Sequence, residues 1–155
     1  MSETMTETQD LEFVRDYKVT VARLWRAVTD PAEVVQWFGP EGVDMKTCDM
    51  DLTKRGPWSC VMVGRESGNR FWVSGEVTHV RPPEGAEGSV GFTWAWHGDD
   101  DRRGPESHVI FEVSATDGGA RLRLIHRELE TVEAAQSHTQ GWLSTLRKLD
   151  TYITA

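Results

Sequence analysis

The sequence contains two histidines, His126 and His138, that could contact a ligand or take part in a reaction. His126 follows Leu122 and Leu124 on the apolar face of an alternating segment, and His138 shares an apolar stripe at helical spacing with Trp142. A buried neutral imidazole donates one hydrogen bond and accepts one, so a pair could orient a carbonyl or hydroxyl group of a ligand. The same pattern is typical of core histidines with satisfied hydrogen bonds, or of histidines at a cavity mouth.

Catalysis or metal binding would require further groups. General-base chemistry needs a second group that orients the imidazole, and Glu133 and Asp150 fall off the apolar stripe. Zinc takes three or four ligands, and no third ligand is spaced convincingly. We predict no catalytic residue, no metal and no cofactor, with a histidine general base kept as the alternative.

Bulky side chains at alternating positions are candidates for the wall of an apolar cavity. The chain has seven tryptophans, and large aromatic side chains either fill cores or line ligand pockets. Both interpretations stay open. The candidate cavity residues are Trp58, Met62, Phe71, Phe92, Trp94, His126, His138 and Trp142.

The remaining composition excludes several classes of function. A net charge of −8 does not suit nucleic acid. The sequence has no leader-like segment and no apolar stretch of about 20 residues, which predicts a cytoplasmic protein without a membrane partner. Cys48 and Cys60 match no zinc or redox spacing, so we predict two reduced thiols and no disulfide. The run 99–101 is predicted to be a solvated acidic loop.

The elements that must position these residues follow from periodicity. Residues 1–10 predict a disordered tail, and residues 11–155 predict a single domain. Leu11–Thr20 alternates like a strand, Val21–Val28 has helical spacing, and a second short helix runs from Asp30-Pro31 to Gly39-Pro40. Turn residues separate six more predicted strands: Val43–Leu52, Pro57–Arg65, Arg70–Arg81, Ser89–His97, Ser107–Thr116 and Ala120–Leu129.

A long helix is predicted over Thr131–Thr154. Gly141 inside it costs about 1 kcal/mol relative to alanine, which predicts a close approach or curvature at that point. Short turns between strands predict an antiparallel meander. Since only the long helix can cover its apolar face, a gap is expected at the wide end of the sheet, where a ligand could bind.

Several short segments, in order along the chain, resemble the activator of heat-shock protein 90 ATPase homologue family of the START/SRPBCC superfamily. They include Leu24-Trp25-Arg26-Ala27, Thr29-Asp30-Pro31, Gln36-Trp37-Phe38, Phe92-Thr93-Trp94 and Gly141-Trp142. The resemblance covers about residues 11–153. One departure is Arg55-Gly56-Pro57-Trp58, where the family often has a paired glycine.

The resemblance implies an α+β helix-grip fold, in which a curved antiparallel sheet of about seven strands holds one long C-terminal helix. It also implies a cavity but no particular activity. The leading hypothesis is a binding protein for a small apolar ligand. The alternatives are a cyclase- or hydrolase-type enzyme that uses a cavity histidine, and a chaperone-associated or stress-response partner, as a monomer or homodimer.

Overall fold

The computed structural model describes residues 8–154 of the chain. These residues form seven strands and three helices. In chain order the elements are β1 (Gln9–Tyr17), α1 (Val21–Thr29), α2 (Pro31–Trp37), β2 (Val43–Asp49), β3 (Gly56–Gly64), β4 (Arg70–Arg81), β5 (Glu87–Trp96), β6 (Ser107–Thr116), β7 (Gly119–Leu129) and α3 (Val132–Thr154).

The strands form one antiparallel sheet in the order β1-β7-β6-β5-β4-β3-β2. Strands β2 to β7 follow one another as a meander, and β1 pairs with β7 at the far edge. Helices α1 and α2 carry the chain from one edge of the sheet to the other. The two edge strands are therefore neighbours in sequence but lie at opposite sides of the domain.

Polar side chains fix where the helices begin. The Thr20 hydroxyl accepts the backbone N–H of Arg23 over 3.1 Å at α1, and the Asp30 carboxylate accepts that of Ala32 over 2.9 Å at α2. The Thr131 hydroxyl accepts the N–H of Ala134 over 3.0 Å at α3. Each cap satisfies a donor that the first helical turn would leave unpaired.

A close approach at Gly75 shapes the middle of the sheet. A Cβ atom at this position would lie 1.9 Å from the Thr93 carbonyl oxygen, so only glycine fits. That carbonyl instead accepts the indole N–H of Trp58 over 3.0 Å. A glycine in the interior of β4 thus allows this strand to lie close to β5.

Some predicted boundaries were wrong for identifiable reasons. The first strand ends at Tyr17, because Thr20 serves as the cap of α1. Strand β2 ends at Asp49 rather than Leu52, because the Leu52 N–H bonds to Thr29 O over 3.2 Å and its side chain enters the core. The predicted tail falls mainly on residues 1–7, which lie outside the described residues, whereas Gln9 belongs to β1.

The core lies between the concave face of the sheet and the three helices. The C-terminal half of α3 contributes Leu146, Leu149 and Ile153, which are buried against the sheet and the N-terminal helices. A curved seven-stranded antiparallel sheet around one long C-terminal helix is the helix-grip α+β fold, as the sequence predicted.

Candidate functional site

A cavity of about 300 Å³ lies where the N-terminal half of α3 crosses the sheet. Three segments supply its wall. The connection from α2 to β2 contributes Phe38, Gly39 and Pro40, and the sheet contributes Val43, Met62, Phe71, Trp94 and Trp96. Helix α3 contributes Ser137, His138, Gly141, Trp142 and Thr145.

The wall changes from buried to exposed along one direction, which locates the mouth. Trp94 and Trp142 are buried, and their rings contact each other with centroids 5.4 Å apart. Phe71 is 40% exposed, and Ser137 is also exposed. The mouth therefore lies between β4 and the first turns of α3, and the two tryptophans form the inner end.

Gly141 contributes space to this cavity. Within the described chain, and apart from the helix's own backbone, no heavy atom lies within 4 Å of a Cβ built at this position. Of the two explanations that the sequence offered, close approach or curvature, the structure excludes the close approach. The glycine costs α3 about 1 kcal/mol in helix propensity and leaves open volume where any other residue would place a side chain.

Trp94, a residue of the cavity wall, has an unsatisfied indole N–H group. It is buried, and it has no hydrogen-bond partner among residues 8–154. Other aromatic rings contact the Trp94 ring, including those of Trp58, Trp142 and His126 at centroid distances of 5.4–5.6 Å. Burying an unpaired N–H group costs about 1–3 kcal/mol, so an acceptor placed against this nitrogen would be stabilised.

His138 is half-buried, and both of its ring nitrogens are engaged. Its Nε2 accepts the indole N–H of Trp96 over 3.0 Å, so the proton of the neutral ring is on Nδ1. Nδ1 donates to the Ala134 carbonyl oxygen over 2.7 Å. Burial lowers the pKa of His138, which favours this neutral state.

His126 is fully buried in a second chain of hydrogen bonds. Its Nδ1 accepts the indole N–H of Trp142 over 2.9 Å, so its Nε2 carries the proton and donates to Ser107 Oγ over 2.7 Å. The Ser107 hydroxyl then donates to the Trp94 carbonyl oxygen over 3.4 Å. Burial, with a smaller contribution from nearby His138, lowers the pKa of His126 to about 3.

These tautomers bear directly on catalysis. A serine beside a histidine resembles a nucleophile and its base, but His126 Nε2 already carries a proton and cannot take another from Ser107. The indole N–H of Trp142 holds this tautomer in place. Both imidazoles therefore act as connectors between tryptophan N–H groups and oxygen acceptors, an arrangement that stabilises the cavity wall.

The structure brings some of the predicted site residues together and separates others. Met62, Phe71, Trp94, His138 and Trp142 line the cavity. Trp58, Phe92 and His126 are buried in the core and are not among the residues that line the cavity. Strand parity correctly indicated an inward direction for each of these three but not its depth.

Sequence reasoning missed the contribution of the α2–β2 connection. Gly39 and Pro40 were interpreted only as the end of a helix, yet the segment 38–43 closes one side of the cavity. Trp96 was also left out, although it alternates with Trp94 on the same strand. The alternation was the available signal for Trp96; no comparable pattern marked the connection.

Within residues 8–154, no group of three or more His, Cys, Asp or Glu side chains could hold a metal ion. Among the helices of that range, none combines the length and apolar character needed to cross a membrane.

A curved sheet closed by one long helix, with an apolar cavity between them, defines a protein of the START/SRPBCC type. The family model described as activator of Hsp90 ATPase homolog 1-like protein matches residues 18–154. The chain belongs to this family, as the sequence resemblance indicated. Comparison with curated proteins finds no match.

One solved structure supports the same family assignment, and two others share the fold. A protein of the same family from Silicibacter pomeroyi is 49% identical, with a TM-score of 0.87 over 94% of this chain and 98% of the other. Proteins from Chromobacterium violaceum (19% identity, TM-score 0.80, 94% and 97% covered) and Rhodobacter sphaeroides (24%, 0.75, 97% and 96%) share the fold.

Proposed function

We propose that this protein binds a small, neutral, largely apolar ligand that carries one hydrogen-bond acceptor. The observation that carries the proposal is a cavity of about 300 Å³ whose wall includes Trp94, a tryptophan with a buried and unsatisfied N–H group. Ligand sites combine an apolar wall with a few polar groups that fix orientation. We assign this role to the indole N–H of Trp94, which is buried and has no partner among residues 8–154.

The composition of the wall supports a neutral ligand. None of the described residues that line the cavity is Asp, Glu, Lys or Arg, and the Trp96 N–H group holds His138 neutral. A charged ligand would lose its hydration without gaining a counter-charge. The volume lies at the small end of the range for ligand pockets, which favours a compact one- or two-ring molecule or a short chain.

The hydrogen bonds of the histidines support binding over catalysis. A general base needs a free lone pair within reach of the reacting proton, and the two lone pairs of His126 and His138 accept N–H groups of Trp142 and Trp96. A hydrolase or cyclase that used either imidazole would first have to break one of these bonds. Binding requires no such rearrangement.

A matched pair of probes tests the proposal by titration calorimetry. The ketone α-tetralone and the hydrocarbon tetralin share a bicyclic skeleton and differ in one carbonyl group. One net hydrogen bond is worth about 0.5–1.5 kcal/mol, so we expect the ketone to bind about two- to tenfold more tightly. Trp94→Phe should remove this preference while leaving the affinity for tetralin nearly unchanged.

A cavity-filling variant tests the location of the site. Gly141→Ala should weaken binding of both probes by about fivefold or more, because overpacking costs about 1–3 kcal/mol. The matched control is Gln140→Ala on the exposed side of the same helix, which should bind as the parent does. Equal affinities for both probes in parent and variants, or no binding at all, would refute the proposal.

The family description favours a second candidate, in which the partner is an Hsp90-type chaperone. The two candidates predict different results for one variant. Gly141→Ala changes only the inside of the cavity, so it should weaken ligand binding while leaving any stimulation of a chaperone ATPase unchanged.

We also propose that the protein is cytoplasmic, which fluorescence microscopy of a tagged chain would test.

A further inference from the structure

Cys48 and Cys60 face each other across the edge of the sheet, far from any role in the cavity wall. They are directly opposite in the antiparallel pairing of β2 with β3, and their sulfur atoms lie 2.7 Å apart. Non-bonded heavy atoms usually approach to about 3.5–4.0 Å. Both residues are free thiols, so the fold holds two reduced sulfurs nearly within bonding distance.

The two thiols differ in exposure, which gives them different roles. Cys60 is fully buried, with its sulfur 4.0 Å from the Met50 sulfur. Cys48 is half-buried on β2, the edge strand of the sheet. Solvent and small oxidants therefore reach Cys48 first, and Cys60 stands behind it.

The hydrogen bond between the thiols reinforces this difference. The bond from the Cys60 S–H group lowers the pKa of Cys48, whereas the same bond and burial raise the pKa of Cys60. A thiolate, rather than a thiol, is the reactive nucleophile. Cys48 is therefore the nucleophile that reacts first, and Cys60 is the resolving cysteine.

We propose that Cys48 and Cys60 form a reversible disulfide when the protein meets a two-electron oxidant such as hydrogen peroxide. The Cys48 thiolate attacks a peroxide oxygen, the O–O bond breaks, and with one proton this gives Cys48 sulfenic acid and water. The Cys60 sulfur then attacks the Cys48 sulfur and the S–O bond breaks. The Cys60 proton leaves with the hydroxyl as a second water.

The backbone geometry allows this bond without a rearrangement of the sheet. Directly opposed residues in an antiparallel ladder have Cα atoms about 4.5–5.5 Å apart, which lies within the range of about 4.4–6.8 Å found in disulfides. The sulfurs need to approach by a fraction of an ångström. The sequence analysis predicted two reduced thiols, and oxidation would link β2 covalently to β3.

Mass spectrometry of the full chain tests the proposal. After treatment with equimolar hydrogen peroxide, the intact mass should fall by two hydrogens, both thiols should lose their reaction with iodoacetamide, and dithiothreitol should restore them. A peptide map should contain Cys48 joined to Cys60. In the untreated protein, Cys48 should be alkylated at least about tenfold faster than Cys60.

Single variants separate the proposed order of events from a bond that simply forms under oxidation. In Cys60→Ala, a dimedone-type probe should label Cys48 sulfenic acid, whereas Cys48→Ala should leave Cys60 unlabelled. Circular dichroism would show whether each variant is folded. The peroxide experiment on the parent protein does not depend on the variants. Thiols that stay alkylatable after peroxide, overoxidation without a link, or a link only between two chains would overturn the proposal.

Discussion

The two halves of α3 lie against the same sheet, but one half is packed in the core and the other borders the cavity. The C-terminal half packs Leu146, Leu149 and Ile153 into the core, where all three are buried. The N-terminal half places His138 and Gly141 beside open space. One continuous apolar stripe therefore serves two purposes: one half provides stability, and the other half keeps a volume empty.

Trp142 lies at the boundary between the two halves and should have the largest effect when changed. Trp142→Ala removes a buried ring and the N–H that holds His126, so we expect a loss of about 3–5 kcal/mol in the free energy of unfolding. Urea unfolding measures this. Trp142→Phe is the control that keeps most of the ring, and an equal loss in Phe and Ala variants would contradict a packing role.

Leu149→Ala tests the packed half on its own. The side chain is fully buried, and such truncations cost about 2–5 kcal/mol. Binding of α-tetralone to the folded variant should stay within about twofold of the parent, since Leu149 does not line the cavity. A large change in affinity would mean that the two halves are energetically coupled.

The sequence predicted which side chains face inward better than it predicted where the cavity lies. Strand alternation and helical spacing identified Met62, Trp94, His138 and Trp142 as inward-facing, because periodicity reports direction. It does not report where packing stops, so the sequence offered a close approach or curvature at Gly141 and did not indicate the open space there. A cavity depends on the combined positions of segments far apart in the chain.

The register of the edge strands was also beyond periodicity. Cys48 meets Cys60 because an irregularity between Met45 and Thr47 shifts the pairing of β2 with β3. A shift of one residue would turn a side chain to the other face of the sheet. The sequence separation of the two cysteines does not indicate this register shift.

Acid should weaken the region around the buried histidines before it affects the rest of the protein. The pKa of His126 is lowered to about 3 in the fold, against about 6.5 in the unfolded chain. Its stabilising contribution is therefore complete above about pH 6.5 and is lost as the pH falls toward 3, because the unfolded state takes up a proton that the folded state refuses. The lowered pKa of His138 acts in the same direction.

The measurement is the free energy of unfolding between pH 6.5 and 5, where carboxylates with lowered pKa values, such as Glu33, do not yet contribute. Each histidine adds a slope of at most about 1.4 kcal/mol per pH unit. His126→Gln should flatten the profile in this range. A parent profile that is flat from pH 6.5 to 5 would show that the imidazoles are not buried as described.

Gly141→Ala should have the smallest effect on stability, and in the opposite direction. Alanine gains up to about 1 kcal/mol in helix propensity, and no described atom outside the helix backbone lies close enough to clash with the new methyl group. A higher Tm together with weaker binding of α-tetralone would show that the glycine is kept for the cavity. A lower Tm would mean that the site is already filled by side chains.

The most direct test of the central claim is a two-dimensional NMR spectrum of the indole N–H groups, one signal for each of the seven tryptophans. Trp94→Phe identifies the Trp94 signal by its disappearance. Addition of α-tetralone should move this signal downfield, as a new hydrogen bond does, whereas tetralin should leave its position nearly unchanged. A Trp94 signal that ignores the ketone, or that responds equally to both probes, would contradict the account.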